Sequence, residues 1–272
     1  MTPLALGALV GLLLALTGAG GGILAVPLLV FALRLGVAEA APIGLLAVGL
    51  AAAMSAALGL RDGIVRYRAA ALMGGPALVL APLGVAAAQR LPNAPLTLAF
   101  AAVLALAAWR MWQRARHASR ACEGAAVAKD VLPCVLDARD GRLVWTRPCA
   151  QALALTGVTA GLLSGLLGVG GGFVIVPALT RFTELSARSV VATSLAVIAL
   201  ACVGGVGAAA WHGAIAWDVA LPFAVGSVVA SLLARLVAAR VAGPRLQQGF
   251  AVVSACVAVL LFARGMGWLA VR

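Results

Sequence analysis

Residues 18–27 read GAGGGILAVP, and residues 168–177 read GVGGGFVIVP. The glycine triplet and the proline recur 150 residues apart, each inside a long stretch without charge. Glycine takes backbone angles other residues cannot and costs helix stability, so three in a row end a helix. The proline five residues on lacks an N–H and suits the first turn of a new helix. Each copy therefore predicts a broken helix. At membrane depth such a break is tolerated only when buried in protein or lining a wet cavity. The second half-helix then presents unpaired N–H groups and a positive dipole end, which favour an anion.

This assigns Gly20, Gly21, Gly22, Gly170, Gly171 and Gly172 as substrate-binding candidates, with Pro27 and Pro177 as structural helix-break residues. Thr17 and Ser164 sit just before the breaks and join the set. Thr193 and Ser194 join it from another apolar segment, although isolated Ser and Thr in membrane helices usually bond backbone. The competing explanation for the glycines is close helix packing by small residues. Two copies with a matched proline favour a site where the breaks meet, at the interface of two repeats.

Working outward, the chain is 64% hydrophobic and 10% charged. A soluble domain carries about 25% charged residues, so this is an integral membrane protein. Residues 1–33, 40–60, 69–89, 91–109, 148–180, 189–217, 219–234 and 246–263 contain no Asp, Glu, Lys or Arg. About 20 apolar residues span a bilayer, and continuous rather than alternating runs predict helices, not a barrel. Residues 1–33 lack a basic leader and run into the first glycine motif, so no cleavable signal is expected. The net charge of +12 fits basic loops against anionic lipid. Nucleic acid is excluded as a partner, because no aromatic stacking surface accompanies the charge.

The halves align at a constant offset of 150, matching Gly7, Gly11, Arg90 and Phe100 to Gly157, Gly161, Arg240 and Phe250. The expected fold is all-α, with two homologous four-segment halves. The domains are a first transmembrane repeat, 1–112, a basic cytoplasmic connector, 113–148, and a second repeat, 149–272. Short loops rich in Lys and Arg stay cytoplasmic. In half one the basic loop is Arg61, Arg66 and Arg68, whereas in half two it is Arg235, Arg240 and Arg245, one loop later. The flipped alternation predicts an inverted-topology repeat. Inversion needs an odd number of crossings per half, supplied if each broken first segment dips in and returns. Sixteen Lys and Arg then face the cytoplasm against four outside. Eight full spans remain the alternative, with thirteen against seven.

No carboxylate falls mid-membrane: Glu39, Asp62, Glu184 and Asp218 all lie near loops. His212 is read as an interfacial loop residue, and Arg235 as snorkelling from a helix end. Cys122, Cys134 and Cys149 match no zinc spacing, so neither metal binding nor redox sensing is expected, and Cys202 and Cys256 read as core packers. A membrane-embedded enzyme would need clustered His, Cys, Asp or Glu, which this chain lacks. No cofactor is expected, and a homo-oligomer is left open.

With these motifs in hand, the chain resembles the TauE/SafE family of sulfite-exporter-like permeases. The resemblance rests on Gly18–Pro27 and Gly168–Pro177, on Ala192-Thr193-Ser194-Leu195, and on Gly213-Ala214-Ile215-Ala216-Trp217-Asp218. It implies a secondary transporter of small sulfur-containing anions, such as sulfite, sulfoacetate or other sulfonates, in a bacterial-type plasma (inner) membrane. Two departures stand out. Half one has Ala41-Pro42-Ile43-Gly44 where half two has Val191-Ala192-Thr193-Ser194. The family's helix-start acid is displaced by two positions, to Asp218. No ATP-binding loop is present, so an ion gradient or the anion's own gradient must drive transport. The alternative is a non-transporting membrane scaffold or assembly subunit.

Overall fold

The computed structural model describes residues 2–121, 134, 146–183, 185–241 and 244–265. Ten α-helices run through them: α1 (Pro3–Thr17), α2 (Ala25–Ala32), α3 (Val37–Arg61), α4 (Tyr67–Arg90), α5 (Asn93–Ala121), α6 (Arg147–Leu167), α7 (Gly172–Phe182), α8 (Ala187–Trp211), α9 (Trp217–Val241) and α10 (Pro244–Gly265). A 3₁₀ segment, Gly18–Leu24, links α1 to α2. Six helices among the described residues, α3, α4, α5, α6, α8 and α9, are long and apolar enough to cross a membrane. The protein is thus an all-α, multi-pass membrane protein. Helix α5 extends nine residues into the span read as connector.

The helix starts follow from local chemistry. Thr146 caps α6, its Oγ1 accepting from the Cys149 N–H at 3.3 Å, with Pro148 in the first turn. Ser186 caps α8 by accepting from the Ser189 N–H. Glu39 reaches back to the Gly36 N–H at 3.2 Å to close the start of α3. Asp218, in the first turn of α9, lies at the positive dipole end.

Two helices and the loops after them recur at an offset of 150 residues. Helices α3 and α8 share bounds at that offset. In the loop after α3, the N–H groups of Asp62, Gly63 and Ile64 donate to the carbonyls of Leu58, Leu60 and Gly59. After α8, His212, Gly213 and Ala214 donate to Ala208, Ala210 and Ala209, the same set. Gly63 and Gly213 both take positive φ, +67° and +65°.

Helices exchange partners between halves. Gly7 and Gly11 of α1 lie against the backbone of Phe223 and Ser227 in α9. Gly157 and Gly161 of α6 lie against Met73 and Ala77 in α4, the same pairs with the halves swapped. At these contacts a side chain would run into main chain, so glycine is what lets the helices meet.

Directions follow from the same contacts. Gly49 meets Cys202, Gly205 meets Leu45 and Gly59 meets Ala192, so α3 and α8 run antiparallel. Gly74 meets Leu200 and Gly204 meets Leu78, so α4 and α8 run parallel. The α3–α8 pair forms the centre, with 56% of the most apolar window of α3 buried against 39% for α5. Outward residues such as Val79, Leu155, Val203 and Val259 are exposed and apolar, as a lipid-facing surface requires.

The cysteines depart from expectation. Cys202 is buried, but Cys256 is exposed, on the face where α10 meets α5. Cys134 and Cys149 form a disulfide, with Cα atoms 5.2 Å apart. Zinc spacing is no guide here, because a disulfide needs only proximity of the two Cα atoms. Cys122 lies outside the described residues.

Candidate functional site

The two breaks share a sequence but differ in winding. The first is a 3₁₀ segment, and the second a left-handed turn. Gly168 ends α6 at φ +72°, its N–H donating to the Ser164 carbonyl at 2.8 Å. Gly170 and Gly171 follow at φ +75° and +70°, and α7 starts at Gly172. Side-chain residues rarely adopt three such angles in four positions, so this turn needs its glycines. Pro27 stands in the first turn of α2, as expected. Pro177 lies deeper in α7, because α7 begins within the glycine triplet itself.

The breaks meet. Gly22 lies against the Val169 carbonyl, and both Gly22 and Gly170 contact Val48 of α3. Gly170 also touches Ile198 of α8, and Gly44 of α3 faces the Gly168 carbonyl. Gly21, Gly22 and Gly168–Gly172 are buried, so broken backbone sits inside protein as its polar groups require. Gly171 packs back on the Ala160 carbonyl, and Gly21 on the backbone of Leu14. Close packing and the break therefore coexist at these positions.

The polar groups divide into two sets. Ser164 is fully buried one turn before the second break, and its hydroxyl has no partner. A buried hydroxyl without a partner costs free energy and invites a ligand or water. The first N–H groups of α7, on Gly172 and Phe173, have no intrahelical acceptor and carry the positive dipole end. These groups lie on the two sides of the second break, Ser164 before it and the first N–H groups of α7 after it.

Thr193 is occupied elsewhere. Its Oγ1 accepts the Arg66 N–H at 3.1 Å, and nearby Ser189 donates to the Ile64 carbonyl at 2.8 Å. Both pin the α3–α4 loop to the start of α8. Ile198, which touches Gly170, is five residues along, about 7.5 Å at 1.5 Å per residue. Ser194 donates to the Val191 carbonyl at 2.8 Å and takes the place that Gly44 holds in half one. Helix α8 packs on the first break. Thr17's side chain lies outside the described residues, as do Glu184 and the side chain of Arg235. His212 is exposed at the end of α8.

Three further polar atoms share the condition of the Ser164 hydroxyl. The hydroxyls of Ser227 and Ser254 and the Nε of Arg66 are buried without partners. Nothing in an isolated serine or a loop arginine signals this, because burial comes from the helices packed around them. Among the described residues no cluster of three or more His, Cys, Asp or Glu offers a metal site.

Thr193→Val removes the acceptor for the Arg66 N–H. The expected cost is about 1–3 kcal/mol, read as a lower melting temperature in detergent. Flux per folded molecule should stay unchanged. A flux loss at unchanged stability would instead place Thr193 at the substrate.

Comparison with known proteins places the chain in a family. The family model described as "Sulfite exporter TauE/SafE" matches residues 4–261. A "Probable membrane transporter protein" from Xylella fastidiosa (strain 9a5c) is 28% identical over 262 residues, covering 95% of this chain and 93% of that protein. A protein with the same description from strain Temecula1 / ATCC 700964 is 28% identical over 264 residues, with the same coverage. No solved structure matches. The chain belongs to the TauE/SafE family.

Proposed function

We propose that this TauE/SafE-family member is a secondary membrane transporter of small sulfur-containing anions, such as sulfite, sulfoacetate or other sulfonates, working as an exporter by alternating access. The observation that carries the reading is the meeting of two glycine breaks beside a buried, unpartnered Ser164 hydroxyl. Donors without protein acceptors suit an oxyanion, whose oxygens accept from several directions at once. The substrate class itself rests on the family description.

In this reading the halves are inverted in the membrane. Antiparallel α3 and α8, with parallel α4 and α8, support it, because eight full spans would reverse both directions. The ends of the α6–α7 unit also lie together: Cys134 is bonded to Cys149 at the start of α6, and its N–H donates to the carbonyl of Phe182 at the end of α7 at 3.2 Å. This closeness supports a hairpin that enters the membrane and returns. The basic connector then lies in the cytoplasm. A potential negative inside favours anion export by about 2.3 kcal/mol per charge per 100 mV.

The test is flux of radiolabelled sulfite and sulfoacetate from proteoliposomes, with and without an imposed potential. Flux is expected from the native protein and sharply lowered in folded Gly171→Ala. Ser164→Ala should lower flux about tenfold, the loss of one hydrogen bond to a charged group. Folded protein that moves no anion across a wider panel would transfer weight to the scaffold reading.

A further inference from the structure

Cys134 joins three parts of the second half. Its sulfur is bonded to Cys149 in the first turn of α6. Its N–H donates to the Phe182 carbonyl at 3.2 Å, and its backbone pairs with Thr183, just past the end of α7. One connector residue thus clamps both legs of the hairpin that carries the Gly168–Gly172 break. The first half holds no cysteine at all, so no disulfide joins the legs of its break.

The compartment decides what such a bond means. On the orientation proposed above, this end of the hairpin faces the cytosol, where thiols are kept reduced and disulfides are transient or sensing. Both cysteines are fully buried. A small thiol or disulfide therefore reaches them only when the hairpin base opens, so exchange is tied to a local opening of this segment.

We propose that Cys134 and Cys149 are a reversible thiol–disulfide latch, and that the oxidised latch holds the α6–α7 hairpin closed and slows transport. The co-reactant is a low-molecular-weight disulfide such as glutathione disulfide. One cysteine thiolate attacks it, forming a mixed disulfide and expelling one small thiolate. The second cysteine thiolate attacks the protein sulfur of that mixed disulfide and expels the other small thiolate. The two cysteines lose two protons, which the leaving thiolates take up. The protein pair is oxidised, and the small disulfide is reduced to two thiols. The latch rests on the transport and orientation reading above, so its test carries a readout that needs no transport.

Cells are treated with N-ethylmaleimide before lysis, and the Cys134–Cys149 linked peptide is quantified by mass spectrometry, with and without prior diamide. The expected result is alkylated thiols in untreated cells and the linked peptide after diamide. Purified full-length protein in proteoliposomes is then equilibrated in glutathione/glutathione disulfide buffers. Oxidation should slow hydrogen exchange of the 168–175 amides about tenfold, as closing a local opening does. Sulfite flux should fall with it, and a Cys134→Ser plus Cys149→Ser variant should respond to neither buffer. A pair linked in untreated cells and unmoved by any buffer overturns the latch and marks a permanent staple. Identical exchange or identical flux in the two states also overturns it, leaving the transport reading intact. If exchange responds but no anion moves in either state, the hairpin clamp stands and the transport reading falls.

Discussion

Gly161→Leu is expected to abolish recovery of folded protein. Gly161 sits where α6 meets the backbone of α4 at Ala77, with Gly157 and Gly165 making the same contact one turn to either side. Overpacking costs about 1–3 kcal/mol where neighbouring side chains can shift. Here the obstacle is main chain, which has no rotamer to change, so the two helices must separate along their length. Without a hydrophobic force between helices in lipid, that close contact is itself the source of association. Size-exclusion chromatography of a fluorescent fusion should show the monodisperse peak lost. Gly207→Leu is the control: nothing lies within 4 Å of its added Cβ, and the peak should persist. A monodisperse Gly161→Leu protein would show that α4 and α6 do not meet as described.

Gly171→Ala is expected to give a folded protein with flux reduced at least about tenfold. An alanine at φ +70° pays the left-handed penalty, about 1–2 kcal/mol, and its Cβ meets the Ala160 carbonyl. The turn is expected to rewind locally rather than unfold the bundle, moving the first N–H groups of α7 away from Ser164. Thermal unfolding should show a modest loss while sulfite flux falls steeply. Gly21→Ala tests the other break differently. That segment is 3₁₀-wound, so the expected penalty there comes only from contact with Leu14. Equal flux in native protein and Gly171→Ala would separate the second break from transport.

Much of the fold is legible along the chain. Lipid reads composition locally: about 20 uncharged residues are enough to specify a spanning helix, whatever the rest of the chain does. Glycine and proline mark breaks by backbone chemistry alone, and a repeat shows itself as an offset. The membrane class, the helix extents and the positions of the breaks all come from such local signals. The inverted arrangement proposed above was first suggested by which loops carry Arg61, Arg66 and Arg68 or Arg235, Arg240 and Arg245.

Other features depend on what meets what. In a chain built so largely of Ala, Gly, Val and Leu, many helix pairings look equivalent in sequence. Only packing selects Gly7 against Phe223 and Gly157 against Met73, across the halves rather than within them. The same packing winds one glycine triplet as 3₁₀ and turns the other left-handed, since glycine itself permits both. It ties Thr193 to the Arg66 backbone, leaves Ser164 without a partner, and brings Cys134 to Cys149. The sequence by itself determined where helices run and where they break, because lipid and backbone act on neighbouring residues. The tertiary structure alone decided which hydroxyls are free and which cysteines meet, because those depend on contacts between residues far apart in the chain.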